Sequence, residues 1–399
     1  MKIALVCDRY PPRVHSGIGT FVQMLARGLR QHGHNVLVVQ IGDQWSESCD
    51  KGISVFMLPR TRLPWLGNLI TRLRLRNWLA ARVRRGQIEL IEAPDYQGFL
   101  PFGIDRCATV VRLHQSATVS QQLAGLKAAP GIYFYEKRTL AANRNWIGVS
   151  SHILGLTCKA FGVLPKKFAV IHNGILPIAG TSAEPVELPA RFVLYAGQVS
   201  RRKGSLVLAE AAREFLTSHP EVHLVYAGGC LPEAGLTPID QEIRGRVGTE
   251  LSEHVHFLGQ LTREQTLAWL QRAAVFVFPA LIDCFPLVVL EAMSAGTPVV
   301  FTRNPPGPEL IEDGFSGLLA DPANPHDFAA KTSRVLDDPI LAATLSEGAR
   351  KRAAERFSFE QCLKATERFY SDCVREYRER QQARHSWLPA VPIPVLHRH

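Results

Sequence analysis

Short apolar runs alternate with amphipathic segments along most of this 399-residue chain. The runs Ile3 to Val6, Phe192 to Ala196 and Val275 to Phe278 are apolar throughout, as in strands that are buried on both faces of a sheet. The segment Ile18 to Gln31 instead repeats apolar residues at helical spacing, which predicts a helix with one buried face. This alternation predicts an α/β fold with doubly wound parallel sheets and right-handed crossovers.

The alternation begins twice, and each half opens with a strand. A chain of this length also exceeds one ordinary hydrophobic core. The stretch from Leu176 to Pro189, with a Gly, a Ser and three prolines, predicts an interdomain linker. We therefore expect two Rossmann-like domains, residues 1–180 and 190–355, with the ligand in a cleft outside the carboxyl ends of the strands.

The most informative chemistry lies in residues 279–300, which read PALIDCFPLVVLEAMSAGTPVV. Asp283 follows a buried strand, and Glu291 lies on a helix that runs from Leu287 to Ala295. The amides at the start of this helix favour an anion, and carboxylates accept from hydroxyls. A ligand with a phosphate and several hydroxyls fits this arrangement. On the residues alone, a solvated helix acid and an ordinary turn residue fit equally well.

The charge of the chain is concentrated in one segment. The net charge is +10, and the stretch from Arg60 to Gly86 contains eight arginines and no acid, with Trp and Leu interleaved. Such a segment can dock on an anionic membrane surface or can be a plain helix with its apolar side on its own core. Nucleic-acid binding is the weakest alternative, because nothing else resembles a nucleic-acid module, and we expect no nucleic-acid partner.

The eight cysteines are scattered and form no CxxC pair. This pattern favours neither a metal site nor a disulfide framework, so we expect no metal and a reducing, cytoplasmic setting. No run approaches the roughly 20 apolar residues that span a bilayer. If the arginine-rich segment docks on lipid, we expect a peripheral protein on the inner face of the membrane.

In order along the chain, three segments resemble retaining glycosyltransferases of family 4, which have the GT-B fold. FPLVVLEAMSAGTPVV matches the family's last motif, with Glu291 as its second Glu and Asp283 in place of the first. The other two are YPPRVHSGIGTFVQMLARGLRQHGHNV and YAGQVSRRKGSLVLAEA, which carries Lys203. The resemblance implies that a last helix, about residues 359–382, packs back on the first domain. From the sequence itself we expect residues 383–399 to form a flexible tail.

Carried over residue by residue, the resemblance implies roles for a set of side chains. Lys203 would bind the donor diphosphate, and Glu291 the ribose hydroxyls. Asp283 and His114 would face the donor sugar, with Asp95 as an acceptor contact. The remaining expected donor contacts are Gly17, Gly19, Arg201, Arg202, Gly228, Gly259, Gln260, Cys284, Phe285, Pro286 and Leu287.

Two positions depart from the family pattern. Gln198 stands where family members often have an Arg, so Arg201 or Arg202 would have to supply that charge. Asp283 keeps the charge of the usual Glu but has one methylene less, so we expect the donor sugar or its pose to differ.

The resemblance implies a metal-independent retaining hexosyltransferase (EC 2.4) that needs no cofactor. It would transfer a sugar from a UDP-, GDP- or ADP-linked donor to a sugar, lipid or small-molecule alcohol, in cell-envelope polysaccharide, glycolipid or glycoside synthesis. Two alternatives remain: another GT-B enzyme, such as a nucleotide-sugar epimerase or a sugar phosphorylase, or a decayed sugar-nucleotide-binding protein. An NAD enzyme is disfavoured because no GxGxxG follows the first strand.

Overall fold

The computed structural model describes residues 1–11, 16–178, 189–230 and 235–386. Strands in the first part of the chain form one sheet, in the order β3-β4-β2-β1-β5-β6-β7-β8. Its strands are β1 (Lys2–Cys7), β2 (Asn35–Gly42), β3 (Ser46–Asp50), β4 (Ile53–Pro59), β5 (Leu90–Pro94), β6 (Ala108–Leu113), β7 (Asn145–Gly148) and β8 (Lys167–Val170). All neighbours are parallel except β3, which runs antiparallel to β4.

A second sheet has the order β11-β10-β9-β12-β13-β14 and is parallel throughout. Its strands are β9 (Phe192–Ala196), β10 (His223–Ala227), β11 (Val255–Gly259), β12 (Val275–Phe278), β13 (Val299–Thr302) and β14 (Leu318–Ala320). In each sheet the strand order reverses beside the first strand of that half. This topology confirms the predicted pair of doubly wound sheets, each with a switch point at its carboxyl edge.

Helices connect the strands and cover the sheets. Those of the first half are α1 (Gly17–Gln31), α2 (Gly67–Arg84), α3 (Ala117–Leu123), α4 (Pro130–Ala142) and α5 (Ser151–Phe161). Those that follow β9 are α6 (Ser205–Ser218), α7 (Ile239–Val247), α8 (Arg263–Arg272), α9 (Leu287–Ala295), α10 (Gly307–Leu310), α11 (Pro325–Asp337), α12 (Pro339–Arg356) and α13 (Phe359–Ser386). Short 3₁₀ turns occupy Arg201–Lys203 and Thr249–His254.

The last helix follows the second sheet in sequence but packs on the first. Its residues Phe359, Leu363 and Tyr370 join the core that α1 forms with β1 and β2. The Tyr370 hydroxyl donates to Glu92, and the Arg112 guanidinium donates to both Glu92 carboxylate oxygens at 2.9 Å. These groups are buried, so removal of one partner would leave an uncompensated charge. The return of α13 therefore depends on polar as well as apolar contacts.

The predicted linker and the predicted tail fall mostly outside the described residues. The predicted linker falls largely on residues 179–188, which lie outside the described residues. The predicted tail begins at residue 383, but α13 continues to Ser386 because its helical pattern does not break there. The tail from residue 387 onwards also lies outside the described residues. Among the described helices, none combines the length and apolar character that crossing a membrane requires.

Candidate active site

Lys203 reaches the end of β12 because two backbone turns pack directly on each other. Lys203 ends the 3₁₀ turn that follows β9, and Gly204 comes next with a left-handed φ of 76°. A Cβ at Gly204 would lie 1.9 Å from the Pro279 carbonyl oxygen, so only glycine allows this approach. The amide of Leu281 also donates to the Arg202 carbonyl at 3.2 Å. The turn therefore holds Lys203 beside the loop that contains Asp283.

Asp283 is engaged through both of its carboxylate oxygens. Oδ2 forms an ion pair with the Lys203 ammonium, and Oδ1 accepts from the Cys284 amide at 2.7 Å. The Asp283 side chain is almost fully buried, so this ion pair is poorly screened by water. Asp283 thus positions the cation that was expected to meet the diphosphate. The sequence did not reveal this contact, because the two residues are 80 positions apart.

The start of α9 has no side-chain cap. The N-cap residue is Pro286, which has no side-chain acceptor, and no side chain caps this end. Leu287 is the first residue of the helix, so its amide and that of Val288 are among the first-turn donors without an intrahelical acceptor. The helix dipole adds positive potential at the same point. With Lys203 paired to Asp283 in the preceding loop, this turn is suited to an anion.

The first half of the chain holds the loop before α9. Ser150 Oγ donates to the Cys284 carbonyl at 3.2 Å, and Asn173 Nδ2 donates to the Phe285 carbonyl at 3.0 Å. The His172 ring stacks on the Phe285 ring, with centroids 4.7 Å apart and planes 3° apart. Both carbonyls are therefore held on the side of the first half. Phe285 is an anchor in this arrangement, and sequence reasoning assigned no role to Ser150, His172 or Asn173.

Glu291 has a cationic partner that the sequence reasoning missed. The Arg263 Nε donates to Glu291 Oε1 at 2.7 Å, which leaves Oε2 for another donor. Burial raises the pKa of Glu291, and the charge and hydrogen bond of Arg263 oppose that rise. Arg263 is the first residue of α8, directly after the β11 loop. Its position next to the loop expected to border the base could have identified Arg263 as a site residue from the sequence.

Two of the expected glycine contacts are required by the fold itself. A Cβ at Gly19 would lie 1.8 Å from the Arg9 carbonyl oxygen, and one at Gly228 would lie 1.8 Å from the Gly197 carbonyl oxygen. These glycines therefore let the protein's own turns pack closely. Gly17 differs, since a Cβ there meets no atom within 4 Å.

The loops that follow β10 and β11 lie side by side. Gly259, the last residue of β11, has a left-handed φ of 67°, and Gln260 follows it. The Gln260 side-chain oxygen would lie 3.4 Å from a Cβ built on Gly229. The residues expected near the base and those expected near the phosphates are thus adjacent in space.

Arg201 and Arg202 have different surroundings. Arg201 forms an ion pair with Glu242 on α7. No ion pair or hydrogen bond of the Arg202 side chain occurs within the described ranges, and its positive charge lowers the pKa of Tyr195 against a larger effect of burial. Of the two arginines, Arg202 is better suited to replace the charge that is absent at Gln198.

His114 and Asp95 lie together at the carboxyl edge of the first sheet. The His114 amide donates to Asp95 Oδ1 at 2.9 Å, and the His114 ring meets the Phe21 ring edge-on at 5.3 Å. Burial, with a smaller effect of Arg112, lowers the pKa of His114 to about 3, so its imidazole is neutral at physiological pH. Burial also raises the pKa of Asp95 to about 8. Asp95 Oδ2 has no hydrogen-bond partner in the described part of the chain.

The site residues thus form two groups, one beyond the carboxyl ends of strands in each sheet. One group is His114 with Asp95, and the other contains Lys203, Asp283 and Glu291 with their partners. No hydrogen bond between described residues joins the two groups directly. Cys284 lies between them: it packs against the core beneath β6 and β7, and burial raises the pKa of its thiol to about 12, with Asp283 and Asp95 contributing. That the ligand lies between the two groups stays a prediction from the sequence.

Comparison with known families shows which family the chain belongs to. The family description "Glycosyl transferases group 1" matches residues 182–352, and "Glycosyltransferase Family 4" matches residues 15–177. The chain is a group 1 glycosyltransferase. The two matches follow each other in the order expected for this family, one on each sheet.

Curated relatives resemble this glycosyltransferase at moderate identity. D-inositol 3-phosphate glycosyltransferase of Streptomyces bingchenggensis is 30% identical over 232 residues, which cover 55% of this chain and 50% of the relative. Glycogen synthase of Mycobacterium tuberculosis is 27% identical over 426 residues, which cover 98% of both chains. The first match therefore spans half of that relative's length, and the second spans nearly all of it.

Solved structures share the architecture of this glycosyltransferase. Sucrose-phosphate synthase from Thermosynechococcus elongatus superposes with a TM-score of 0.76 at 22% identity, covering 93% of this chain and 98% of the other. Anabaena HepE in complex with UDP gives a TM-score of 0.71 at 20% identity, covering 93% and 100%. At such identities the likeness shows the fold alone. It confirms the GT-B fold expected from the sequence.

Proposed function

We propose that this glycosyltransferase moves a hexose from a nucleoside diphosphate sugar to a hydroxyl group, with retention of anomeric configuration and without a metal ion. The observation that carries the proposal is the position of Lys203, whose ammonium pairs with Asp283 in the loop before the uncapped start of α9. A diphosphate bound there would meet a cation and several backbone donors. Both become more favourable as charge grows on the leaving phosphate.

The remaining contacts extend this site into a nucleotide-sugar pocket. Glu291, with one oxygen held by Arg263, would accept from a ribose hydroxyl through the other. Gly259 and Gln260 would border the base. Arg202 would add the second positive charge near the diphosphate, since Gln198 offers none. Two cations and the α9 amides support a reaction in which no metal neutralises the diphosphate.

On the other side of the cleft, His114 would contact the donor sugar. Its neutral imidazole can donate to or accept from a sugar hydroxyl. Asp95 would bind the acceptor through its unpartnered oxygen. No dedicated nucleophile is assigned, so the leaving phosphate oxygen would take the acceptor proton on the same face. Catalysis would then depend on positioning and on stabilisation of the departing phosphate.

The names of related proteins support the donor class. HepE was solved with UDP and with UDP-glucose, and the relatives include a glycogen synthase and a D-inositol 3-phosphate glycosyltransferase. We therefore propose a UDP-, GDP- or ADP-linked donor and a sugar, lipid or small-molecule alcohol as acceptor. The product would belong to cell-envelope polysaccharide, glycolipid or glycoside synthesis on the cytoplasmic side.

A turnover screen tests this proposal. Purified protein is incubated with each nucleotide-sugar and a panel of sugar, lipid and alcohol acceptors, with and without EDTA, and the anomeric configuration of the product is read by NMR. We expect turnover that persists in EDTA and yields the donor's own anomeric configuration. An inverted product, or activity lost in EDTA and restored by a divalent metal, would refute the mechanism. Conversion of the donor without any acceptor would indicate an epimerase.

A further inference from the structure

The apolar residues of the arginine-rich segment point in two directions. Leu75, Leu79 and Val83 on α2 are buried in the core beneath β1 and β4. Leu66, at the N-cap of α2, is instead 56% exposed, and Trp65 before it is 99% exposed. The plain-helix interpretation accounts for the first set only. The exposed apolar residues of the segment, which we call the α2 patch, are Leu63, Trp65, Leu66 and Leu73.

Trp65 combines full exposure with an unusual backbone conformation. Trp65 has a left-handed φ of 61°, a conformation that bulky residues rarely adopt and that costs of the order of 1 kcal/mol or more. Exposure of a whole indole is a further cost in water. A strained backbone that presents a large apolar side chain to solvent indicates a surface that something covers.

The exposed residues of α2 share one line along the helix. At about 100° per residue, Leu66, Leu73, Asn77 and Arg84 lie within an arc of about 40° around the axis. All four are exposed. Apolar residues occupy the start of this line and Arg84 its far end, with Arg85 directly after it. A flat surface laid along α2 would therefore meet Leu66, Leu73 and Arg84 together.

The charges around the patch fit an anionic surface. Several arginines of the segment are engaged by the protein: Arg72 donates to the Gly98 carbonyl at 2.8 Å, Arg76 to the Gly103 carbonyl at 3.1 Å, and Arg82 lies 3.4 Å above the Trp78 ring. The arginines that are exposed are Arg60, Arg62, Arg74, Arg84 and Arg85. Residues 60–86 contain no acid to neutralise them, although Arg62 meets Asp43 of a neighbouring loop.

A second copy of the chain fits the patch less well. In a symmetric dimer the same patch would face itself, which would bring exposed arginines against each other. Burying them without an acidic partner would be unfavourable. A bilayer containing anionic lipid satisfies both the apolar residues and the arginines.

We propose that the α2 patch docks this protein on an anionic membrane surface. Trp65, Leu63 and Leu66 enter the interface between headgroups and acyl chains, while Arg84 and Arg85 meet lipid phosphates. The helix α2 then lies flat on the bilayer, and the first sheet with His114 and Asp95 is the half nearer to it. This proposal does not depend on the catalytic one, because lipid binding can be measured without turnover.

Vesicle flotation of the full chain tests the apolar part of the proposal. The vesicles are phosphatidylcholine alone or phosphatidylcholine with phosphatidylglycerol. We expect binding only to the anionic vesicles, weakened at high salt, and reduced roughly tenfold or more by the double variant Trp65→Ser with Leu66→Ser. The matched control is Ile340→Ser, which removes an apolar side chain that is 80% exposed on α12, in the other half of the chain. It should bind like the wild type.

The charge part uses a second pair of variants. Arg84→Gln with Arg85→Gln should lower binding to anionic vesicles by roughly thirtyfold. Arg213→Gln with Arg272→Gln removes the same charge from exposed positions on α6 and α8, and should have a much smaller effect. Circular dichroism melting identifies any variant that does not fold.

Three results would overturn the proposal. The first is wild-type protein that stays unbound with anionic vesicles. The second is equal loss of binding in the patch variants and their controls. The third is concentration-dependent dimerisation, seen by analytical ultracentrifugation, that the change at Trp65 and Leu66 abolishes, because the patch would then be a protein interface.

Discussion

Two helices in this glycosyltransferase follow a parallel strand, but the amides of their first turns have different partners. At α5, Ser150 Oγ accepts from the Ile153 amide at 3.2 Å, and Glu309 accepts from the Ser151 and His152 amides at 3.0 and 3.2 Å. At α9, Pro286 offers no side-chain acceptor, and no carboxylate of a described residue caps the first turn.

The start of α5 stabilises the fold, whereas we propose that the start of α9 binds a ligand. Glu309 comes from the second half of the chain, so the positive end of α5 helps to join the two halves. Before α9 there is instead an ion pair, in which Lys203 contacts Asp283 of the preceding loop. Protein groups accept from the first amides of α5, and we propose that a ligand anion does so at α9.

The largest loss of activity should come from removal of Lys203, the cation that pairs with Asp283 before α9. We expect Lys203→Ala to lower kcat/KM by roughly 10²–10³-fold, because the lost charge stabilises the leaving diphosphate. Arg213→Ala, which removes an exposed cation from the same half of the chain, serves as the control and should stay near wild type. Steady-state kinetics with the best donor measure both, and near-normal activity of Lys203→Ala would remove the lysine from the site.

A smaller loss is expected at the ribose carboxylate. Glu291→Gln keeps the size of the side chain but removes the charge, which should weaken donor binding by roughly 10-fold to 100-fold. Isothermal titration calorimetry with the nucleoside diphosphate measures the change. Glu264→Gln, at an exposed acid one residue after Arg263, is the matched control. Equal affinity in Glu291→Gln and in the wild type would exclude the ribose contact.

Asp283→Glu tests whether the short carboxylate matters for the donor. The extra methylene should displace Lys203 while the ion pair persists, so we expect a several-fold change in rate or in preference among donor sugars. Melting temperature should change little, because the charge pair remains. Competition between two donors in one reaction reads the preference directly. If neither rate nor preference moves, Asp283 acts only within the turn.

Glu309, which caps the start of α5, should matter least for catalysis but clearly for stability. Glu309→Gln weakens the contacts to Ser151, His152 and His172, and we expect a cost of about 1–3 kcal/mol in the free energy of unfolding. Affinity for the nucleoside diphosphate should be unchanged. Urea unfolding and calorimetry measure the two quantities separately. A loss of donor affinity as large as that of Glu291→Gln would erase the contrast between the two helices.

This variant should also alter the dependence of stability on pH. Burial would raise the pKa of Glu309, but the hydrogen bonds from His172, Ser151 and His152 outweigh it and lower the pKa. A lowered pKa means that Glu309 stabilises the fold above its ordinary pKa of 4.5, and that this contribution is lost as the pH falls below it. Between pH 6 and pH 3, roughly, Glu309→Gln should therefore lose less stability than the wild type. Parallel curves would contradict this assignment.

The sequence predicted the fold well because the spacing of apolar residues identifies each strand and helix, and their order along the chain can be read directly. It also identified the turn before α9, since a strand, an acid and a helix follow one another within 20 or so residues. It could not predict the partners of that turn. Ser150 and Asn173 meet Cys284 and Phe285 across more than 100 residues, and such contacts appear only when the two halves are packed together.

The glycines also show what the sequence alone cannot predict. The spacing of Gly17 and Gly19 suited a backbone that approaches a phosphate, yet Gly19 is required by the Arg9 carbonyl. A sequence shows where a side chain is absent, and only the packed structure shows which atom occupies the space.

The central claim is that Lys203 and the open start of α9 bind a diphosphate. The most direct measurement is calorimetric titration of the wild type and Lys203→Ala with a nucleoside diphosphate and with the corresponding nucleoside. The account predicts that the diphosphate binds the wild type far more tightly than the nucleoside does, and that Lys203→Ala loses most of this difference while its affinity for the nucleoside stays the same. An equal loss for both ligands, or no loss for either, would contradict it.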